Sequence, residues 1–301
     1  MYITVFSILI FLILITLLIT YKQSNRILIR KAKNTPLVFF PDQFELPFED
    51  ITFQNKSGIQ LKGWFIPSSV KSDKTIMFLH GWGLNKGDIL ANTFFLREKG
   101  FNLFYFDFRS SGASEQGPSS IGYFETEDAQ SALDYICQTH PEETKHIGLY
   151  GLSMGAAVAV YTAAHDKRVE CLLIEACYYS YEKVVARWAR LHKHVPYFPI
   201  VALILFFVRK RLGLNPEDYC PKNNIRKVAP RPILIITGKL DNLAPRHDAR
   251  ALFLAARHPK QLWLVPEATH TDCSLTAGPF YQERLTEFFT KNLGVKDLET
   301  N

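Results

Sequence analysis

An apolar run, His146-Ile147-Gly148-Leu149-Tyr150, meets Gly151-Leu152-Ser153-Met154-Gly155 and continues as Ala156-Ala157-Val158-Ala159-Val160. The first run reads as a buried strand and the last as the start of a buried helix. A strand that turns sharply into a helix through Gly-x-Ser-x-Gly is a nucleophile elbow, and it constrains the chain to an α/β arrangement. The turn crowds the backbone on both sides, so Gly151 and Gly155 are required where a Cβ would not fit. The Ser153 hydroxyl is then raised above the sheet, at the positive end of the following helix.

Around this turn the chain alternates between strand and helix patterns. Ile51–Gln54 and Ile59–Ile66 flank Asn55-Lys56-Ser57-Gly58 and read as a hairpin. Thr75–Leu79, Phe101–Phe106, Cys171–Ala176, Pro232–Thr237 and Gln261–Val265 are apolar runs suited to strands covered on both faces. Helical patterns fall at Asp88–Lys99, Tyr123–Gln138, Arg246–Ala256 and Pro279–Leu293. The acidic start of the second, Glu125, Glu127 and Asp128, matches the helix dipole. The expected fold is a mostly parallel sheet with helices on both faces and an antiparallel hairpin at one edge.

One segment interrupts the alternation, at residues 178–227. It carries Glu182–His194, a break at Pro196-Tyr197-Phe198-Pro199, then apolar Ile200–Val208 and Arg209-Lys210-Arg211. Two readings stand. It is a core-packed helix with a basic last turn, or a small helical lid that also touches lipid.

Ile3–Thr20 carries no charge and is almost wholly apolar. As a helix it reaches roughly 27 Å, enough to cross a hydrocarbon core with its interfaces. Tyr2 and Tyr21 bracket it as interfacial aromatics do. A secretory leader fits less well: no Lys or Arg precedes the run, and no small-residue cleavage site follows. Lys22, Arg26, Arg30, Lys31 and Lys33 all follow it, which places the remaining chain in the cytoplasm by the positive-inside rule. The expected organisation is an anchor over 1–21, a basic linker and lead-in over 22–50, a catalytic domain over 51–295 and a tail over 296–301.

Composition bounds the alternatives. With 301 residues, 47% hydrophobic and 21% charged, the chain suits one large α/β domain with an appendage. Its net charge of +6 is not gathered into one block, and no nucleic-acid motif is present, so a nucleic-acid partner is not expected. Cys137, Cys171, Cys177, Cys220 and Cys273 are odd in number and form no Cys-x-x-Cys pair, which argues against a disulfide framework.

Four further segments carry a family resemblance. They are His80-Gly81-Trp82-Gly83; Asp107-Phe108-Arg109-Ser110-Ser111-Gly112-Ala113-Ser114; Gly238-Lys239-Leu240-Asp241 through Pro245; and Ala268-Thr269-His270. With the elbow, and in this order, they resemble the α/β-hydrolase superfamily, and within it the membrane-anchored serine hydrolases of the Bem46 and ABHD13/ABHD17-like kind. The resemblance covers roughly residues 53–293. The chain departs from the pattern at Ser110 and Thr269, where the family has glycine. The resemblance implies an α/β-hydrolase fold. It also implies an oxyanion hole made of the backbone N–H groups of Met154 and Trp82, with His80, Gly81, Gly83, Gly151 and Gly155 supporting the loops.

The residues point the same way. A serine hydroxyl is a weak nucleophile until a base takes its proton, and histidine suits that task at neutral pH. The base needs a carboxylate to hold its tautomer. The order Ser, acid, His selects Ser153, Asp241 and His270. Asp218, within the insert, is the second choice for the acid. Asp272 stands too near His270. Asp107 comes too early and is expected to hold a loop, pairing with Arg109. His80 is expected to brace its own loop, while His165, His192, His194, His247 and His258 are expected at the surface. Trp82 has two open roles, a wall of the acyl pocket or a core aromatic.

The expected function is hydrolysis of an ester or thioester through an acyl-enzyme, on an amphiphilic or lipid-like substrate or an acylated protein, without cofactor or metal. A serine peptidase and an acyltransferase would use the same three residues. A catalytically silent membrane-anchored scaffold is the alternative from a different class.

Overall fold

The computed structural model describes residues 2–28 and 35–294. Arg30, Lys31 and Lys33 and the tail at 296–301 lie outside the described residues.

Eight strands form one sheet in the order β1-β2-β4-β3-β5-β6-β7-β8. They are β1 (Glu49–Gln54), β2 (Gln60–Ile66), β3 (Lys74–Leu79), β4 (Asn102–Phe106), β5 (His146–Leu152), β6 (Val169–Glu175), β7 (Ile233–Gly238) and β8 (Lys260–Val265). β1 and β2 pair antiparallel, as do β2 and β4, and every pair from β4 through β8 is parallel. The strand alternation explains the double cover. In β3, Met77 and Leu79 enter one core while Ile76 and Phe78 enter the other.

The helices divide between those cores. α1 (Tyr2–Leu28) precedes the sheet. α2 (Lys86–Thr93) packs on one face, and α3 (Tyr123–Thr139) and α4 (Met154–His165) pack on the other. Small residues let α4 lie close to the sheet: Ala156, Ala159 and Ala163 are wholly buried. α5 (Tyr181–Lys193) and α6 (Ala202–Leu212) make the insert, followed by the short α7 (Pro221–Asn224). α8 (Arg246–Ala255) joins the face of α3 and α4, while α9 (Cys273–Ala277) and α10 (Pro279–Asn292) join that of α2. The stretch read as one helix over Asp88–Lys99 is α2 followed by a 3₁₀ turn, Phe94–Lys99.

The core-packed reading of the insert describes one of its faces. Val201, Leu205 and Val208 are buried with Tyr178, Tyr181, Val184 and Val185 in a third, smaller core. The opposite side leaves Phe206 half exposed. α5 and α6 meet at a bend of 119°.

Of the described helices, α1 is long and apolar enough to cross a membrane. Its candidate span, Thr4–Asn25, has a mean hydropathy of 2.6 and is almost entirely exposed.

Candidate active site

Ser153 stands where β5 ends and α4 begins, with φ 54° and ψ −110°. That backbone region is costly for a residue with a Cβ, on the order of 1–3 kcal/mol, and persists only where the surroundings fix it. They do here. The Ser153 N–H donates to the Glu175 carbonyl at 2.8 Å, tying the turn to the end of β6. A Cβ at Gly151 would strike the backbone of Gly155 and Ala156, and one at Gly155 would strike Leu79 and His80. The two glycines thus let α4 start directly beside β3 and β5.

His270 lies in the loop between β8 and α9, 117 residues along the chain from Ser153. The Ser153 hydroxyl donates to His270 Nε2 at 2.9 Å. On the other side of the ring, Nδ1–H donates to Asp241 Oδ2 at 2.8 Å. This tautomer follows from the network, because the Asp241 carboxylate offers only acceptors to Nδ1, which leaves Nε2 to accept from the Ser153 hydroxyl. Asp241 follows β7 and is buried. Its other oxygen accepts the N–H groups of Leu243, at 2.8 Å, and Ala244, at 2.7 Å, which hold the carboxylate in place. Ser153 is partly exposed and the His270 side chain is 25% exposed, so solvent and substrate can reach the pair.

The structure brings Ser153, His270 and Asp241 within hydrogen-bond reach of one another. Asp218 sits apart, in a 3₁₀ turn at Pro216–Tyr219 within the insert. Asp272 serves its own loop, accepting from the Thr269 N–H at 2.6 Å and the Thr269 hydroxyl at 2.7 Å. That pairing gives the unexpected Thr269 a structural role. His165, His192, His194, His247 and His258 are all exposed.

The loop His80–Gly83 lies against the nucleophile: a Cβ on Gly81 would sit 3.4 Å from Ser153 Cβ. Gly83 has φ 82°, the left-handed conformation that glycine takes without cost. His80 is wholly buried, and its Nδ1–H donates to the Gly81 carbonyl at 2.8 Å while Nε2 accepts the Phe108 N–H at 3.0 Å. Burial holds its pKa below the usual histidine value, so it stays neutral and fixes two loops. Trp82 is half-buried, packs on the sheet's core, and meets Trp188 of α5 edge to face at 5.9 Å. It therefore joins the core to the insert.

The expected pairing of Asp107 with Arg109 does not form. Asp107 instead accepts from Lys86 twice, from the ammonium at 2.6 Å and the backbone N–H at 2.8 Å, and from the Ala113 N–H at 2.8 Å. Arg109 turns to Asp128 on α3, with its Nε and terminal nitrogen within 3.0 Å of the carboxylate. The reason is burial: each charge needs a partner with several matched donors or acceptors, and α2 and α3 supply them. Of the three acids at the start of α3, Glu125 caps the helix through the Ser120 and Gly122 N–H groups, Glu127 holds Ser57, and Asp128 holds Arg109. Ser110 takes the position of the family's glycine with φ 59°, and its hydroxyl exchanges hydrogen bonds with both backbone groups of Gly117. All five cysteines are free, and all but Cys137 are buried.

Two features of the site have no local sequence signal. Glu175, at the end of β6, is buried and accepts from the hydroxyls of Tyr150 at 2.9 Å and Tyr281 at 2.7 Å. Burial raises its pKa above the usual carboxylate value. Arg187 of α5 forks onto Asp248 of α8, at 2.5 and 2.9 Å, and reaches the Leu243 carbonyl at 3.3 Å. The insert is thereby tied to the loop that carries Asp241. The described residues include no group of three or more His, Cys, Asp or Glu placed to hold a metal.

Comparison with known proteins agrees with this architecture. The family described as serine aminopeptidase, S33, matches residues 70–211. The uncharacterized protein YfhR of Escherichia coli K12 is 29% identical over 266 residues, covering 85% of this chain and 84% of its own. The α/β hydrolase domain-containing protein WAV2 of Arabidopsis thaliana is 27% identical over 280 residues, covering 86% and 83%. Among solved structures, the esterase Pf2001 of Pyrococcus furiosus superposes with a TM-score of 0.69 at 24% identity, covering 87% of this chain and all of that one. The chain has the α/β-hydrolase fold, and these likenesses support its place in the α/β-hydrolase superfamily.

Proposed function

We propose that the chain is a serine hydrolase that cleaves an ester or thioester of an amphiphilic substrate. The observation that carries this reading is the relay from the Ser153 hydroxyl to His270 at 2.9 Å and from His270 to Asp241 at 2.8 Å. Ser153 Oγ attacks the acyl carbon while His270 Nε2 takes its proton. Asp241 stabilises the imidazolium that results and holds the ring in position. The carbonyl oxygen becomes an oxyanion, received by the backbone N–H groups of Met154 and Trp82. Such donors are worth about 3–4 kcal/mol of barrier each. His270 then returns the proton to the leaving alcohol or thiol, and the acyl-enzyme remains. Water, deprotonated by the same nitrogen, releases the acid and restores Ser153. Each step moves a proton through one histidine.

We read α1 as a retained anchor with the hydrolase domain on the cytoplasmic side. The affinity with the Bem46 and ABHD13/ABHD17-like group belongs to the same proposal.

A second reading, a peptidase on the same three residues, is favoured by the description of the matching family as serine aminopeptidase. Turnover of p-nitrophenyl acyl esters, acyl thioesters and aminoacyl arylamides by the purified full-length protein separates them. The ester reading expects release from the first or second class, abolished in Ser153→Ala. Turnover confined to the arylamides would replace it with the peptidase.

A further inference from the structure

The insert and α1 share an interface. Thr20 and Ser24 are buried, and Thr16, Leu17 and Gln23 half-buried, along one stripe of a helix otherwise almost wholly exposed. The small side chains on that stripe let α6 approach closely. The Arg211 Nε–H donates to the Ser24 hydroxyl at 3.0 Å, and a terminal N–H reaches the Tyr21 carbonyl at 3.3 Å. The guanidinium lies 4.1 Å from the centre of the Tyr21 ring, which also meets Phe207 edge to face at 5.4 Å. Cleavage of α1 as a leader would strip this cover from α6.

Beside that interface the insert exposes an apolar rim with cations next to it. Phe198 is 79% exposed, Phe206 50% and Tyr197 45%. Arg209 and Lys210, both exposed, follow directly. Glu182 is the nearby acid, held by the Tyr197 hydroxyl at 2.5 Å and Arg209 at 3.4 Å. Exposed aromatics flanked by cations, joined to the end of an apolar span, match the interface of a bilayer with anionic headgroups. The same insert touches the site through Trp188 against Trp82, and it holds the Asp241 loop through Arg187.

We propose that α1 and the insert form one membrane-seated unit, latched by Arg211, that holds the mouth of the Ser153 site against an anionic bilayer, so that the substrate is an amphiphile taken from the membrane. This rests on the reading of α1 as an anchor and names the source of the substrate for the proposed hydrolase. Phe198 and Phe206 enter the headgroup boundary, and Arg209 and Lys210 meet the phosphates and carboxylates there.

The test uses full-length protein in vesicles of phosphatidylcholine and phosphatidylserine, with Cys137 replaced by serine. A nitrobenzoxadiazole label is placed in turn at Phe198→Cys, Phe206→Cys, Leu9→Cys on α1 and Leu254→Cys on α8. Doxyl-labelled lipids report contact with the bilayer. The proposal expects strong quenching at positions 198, 206 and 9, and none at 254. It also expects Arg211→Ala to reduce quenching at 198, and to slow turnover of a long-chain ester in the vesicle several-fold while leaving a soluble short-chain ester unaffected. Quenching at 9 with none at 198 and 206 would overturn the seating and leave the anchor standing. No quenching at 9 would remove the anchor, and the seating with it. Unchanged quenching and vesicle turnover in Arg211→Ala would overturn the latch.

Discussion

At the scale of single residues, the proposed mechanism gives the three groups of the relay unequal tasks, and their replacements should differ accordingly. Ser153→Ala removes the attacking atom, and kcat should fall by ~10⁶-fold. Asp241→Asn keeps the shape but lets the histidine take the wrong tautomer, so kcat should fall by ~10⁴-fold. Equal losses in steady-state kinetics would mean that Asp241 does more than hold the ring. Glu175 offers a prediction in pH. Its folded pKa is raised above the usual 4.5, so the folded chain holds a proton that the unfolded chain gives up. The stability tied to that proton is complete below pH 4.5 and is lost as pH rises through the raised value. Glu175→Gln has no proton to lose. The melting temperature of Glu175→Gln minus that of the wild type should therefore grow with pH, as thermal melts at several pH values will show. A pH-independent difference would mean that Glu175 is charged in the folded protein.

At the scale of elements, buried ion pairs join segments that the chain order keeps apart. Lys86 at the start of α2 meets Asp107 after β4, with both side chains at most 2% exposed. Lys86→Ala would leave a buried carboxylate with only backbone donors, and it should cost ~3–5 kcal/mol in denaturant unfolding. Arg187 and Asp248 join α5 to α8, but the arginine is 20% exposed and solvent screens it. Arg187→Ala should therefore cost less, ~1–3 kcal/mol, while loosening the insert above the Asp241 loop. Faster amide exchange in α5 with a near-normal exchange rate in β5 and β6 would report that loosening. The relay and these pairs were unequally legible in the sequence. Ser153, Asp241 and His270 each follow an apolar run and stand in a short loop with its own residue pattern, so strand ends and chain order were enough to single out three residues that the fold brings within hydrogen-bond reach. Arg109 and Asp128, 19 residues apart, and Arg187 and Asp248, 61 apart, carry no such pattern. Which charge meets which depends on how α2, α3, α5 and α8 pack, and that is settled by the side-chain cores rather than by any local spacing. The expected Asp107–Arg109 pair failed for that reason.

At the scale of the whole molecule, sheet and helices followed from apolar periodicity, because the inner parallel strands are covered on both faces and so read as continuous runs. Periodicity did not reveal that the insert would be built on two surfaces, one packed against the domain and one shared with α1. Those contacts join segments more than 180 residues apart, as Ser24 and Arg211 are. If α1 is an anchor with the domain in the cytoplasm, the full-length chain should stay with membranes through an alkaline carbonate wash, and protease added outside intact cells should leave the domain whole. Cleavage from outside would reverse the orientation.

The proposed mechanism requires Ser153 to be an activated nucleophile. Labelling of the protein with a fluorophosphonate probe, with the modified residue located by mass spectrometry, reads that activation out at the residue itself. The wild type should carry an adduct on Ser153, Ser153→Ala should carry none, and His270→Ala should react far more slowly. A folded wild type that stays unlabelled in the presence of lipid, or that carries the adduct on another residue, would contradict it.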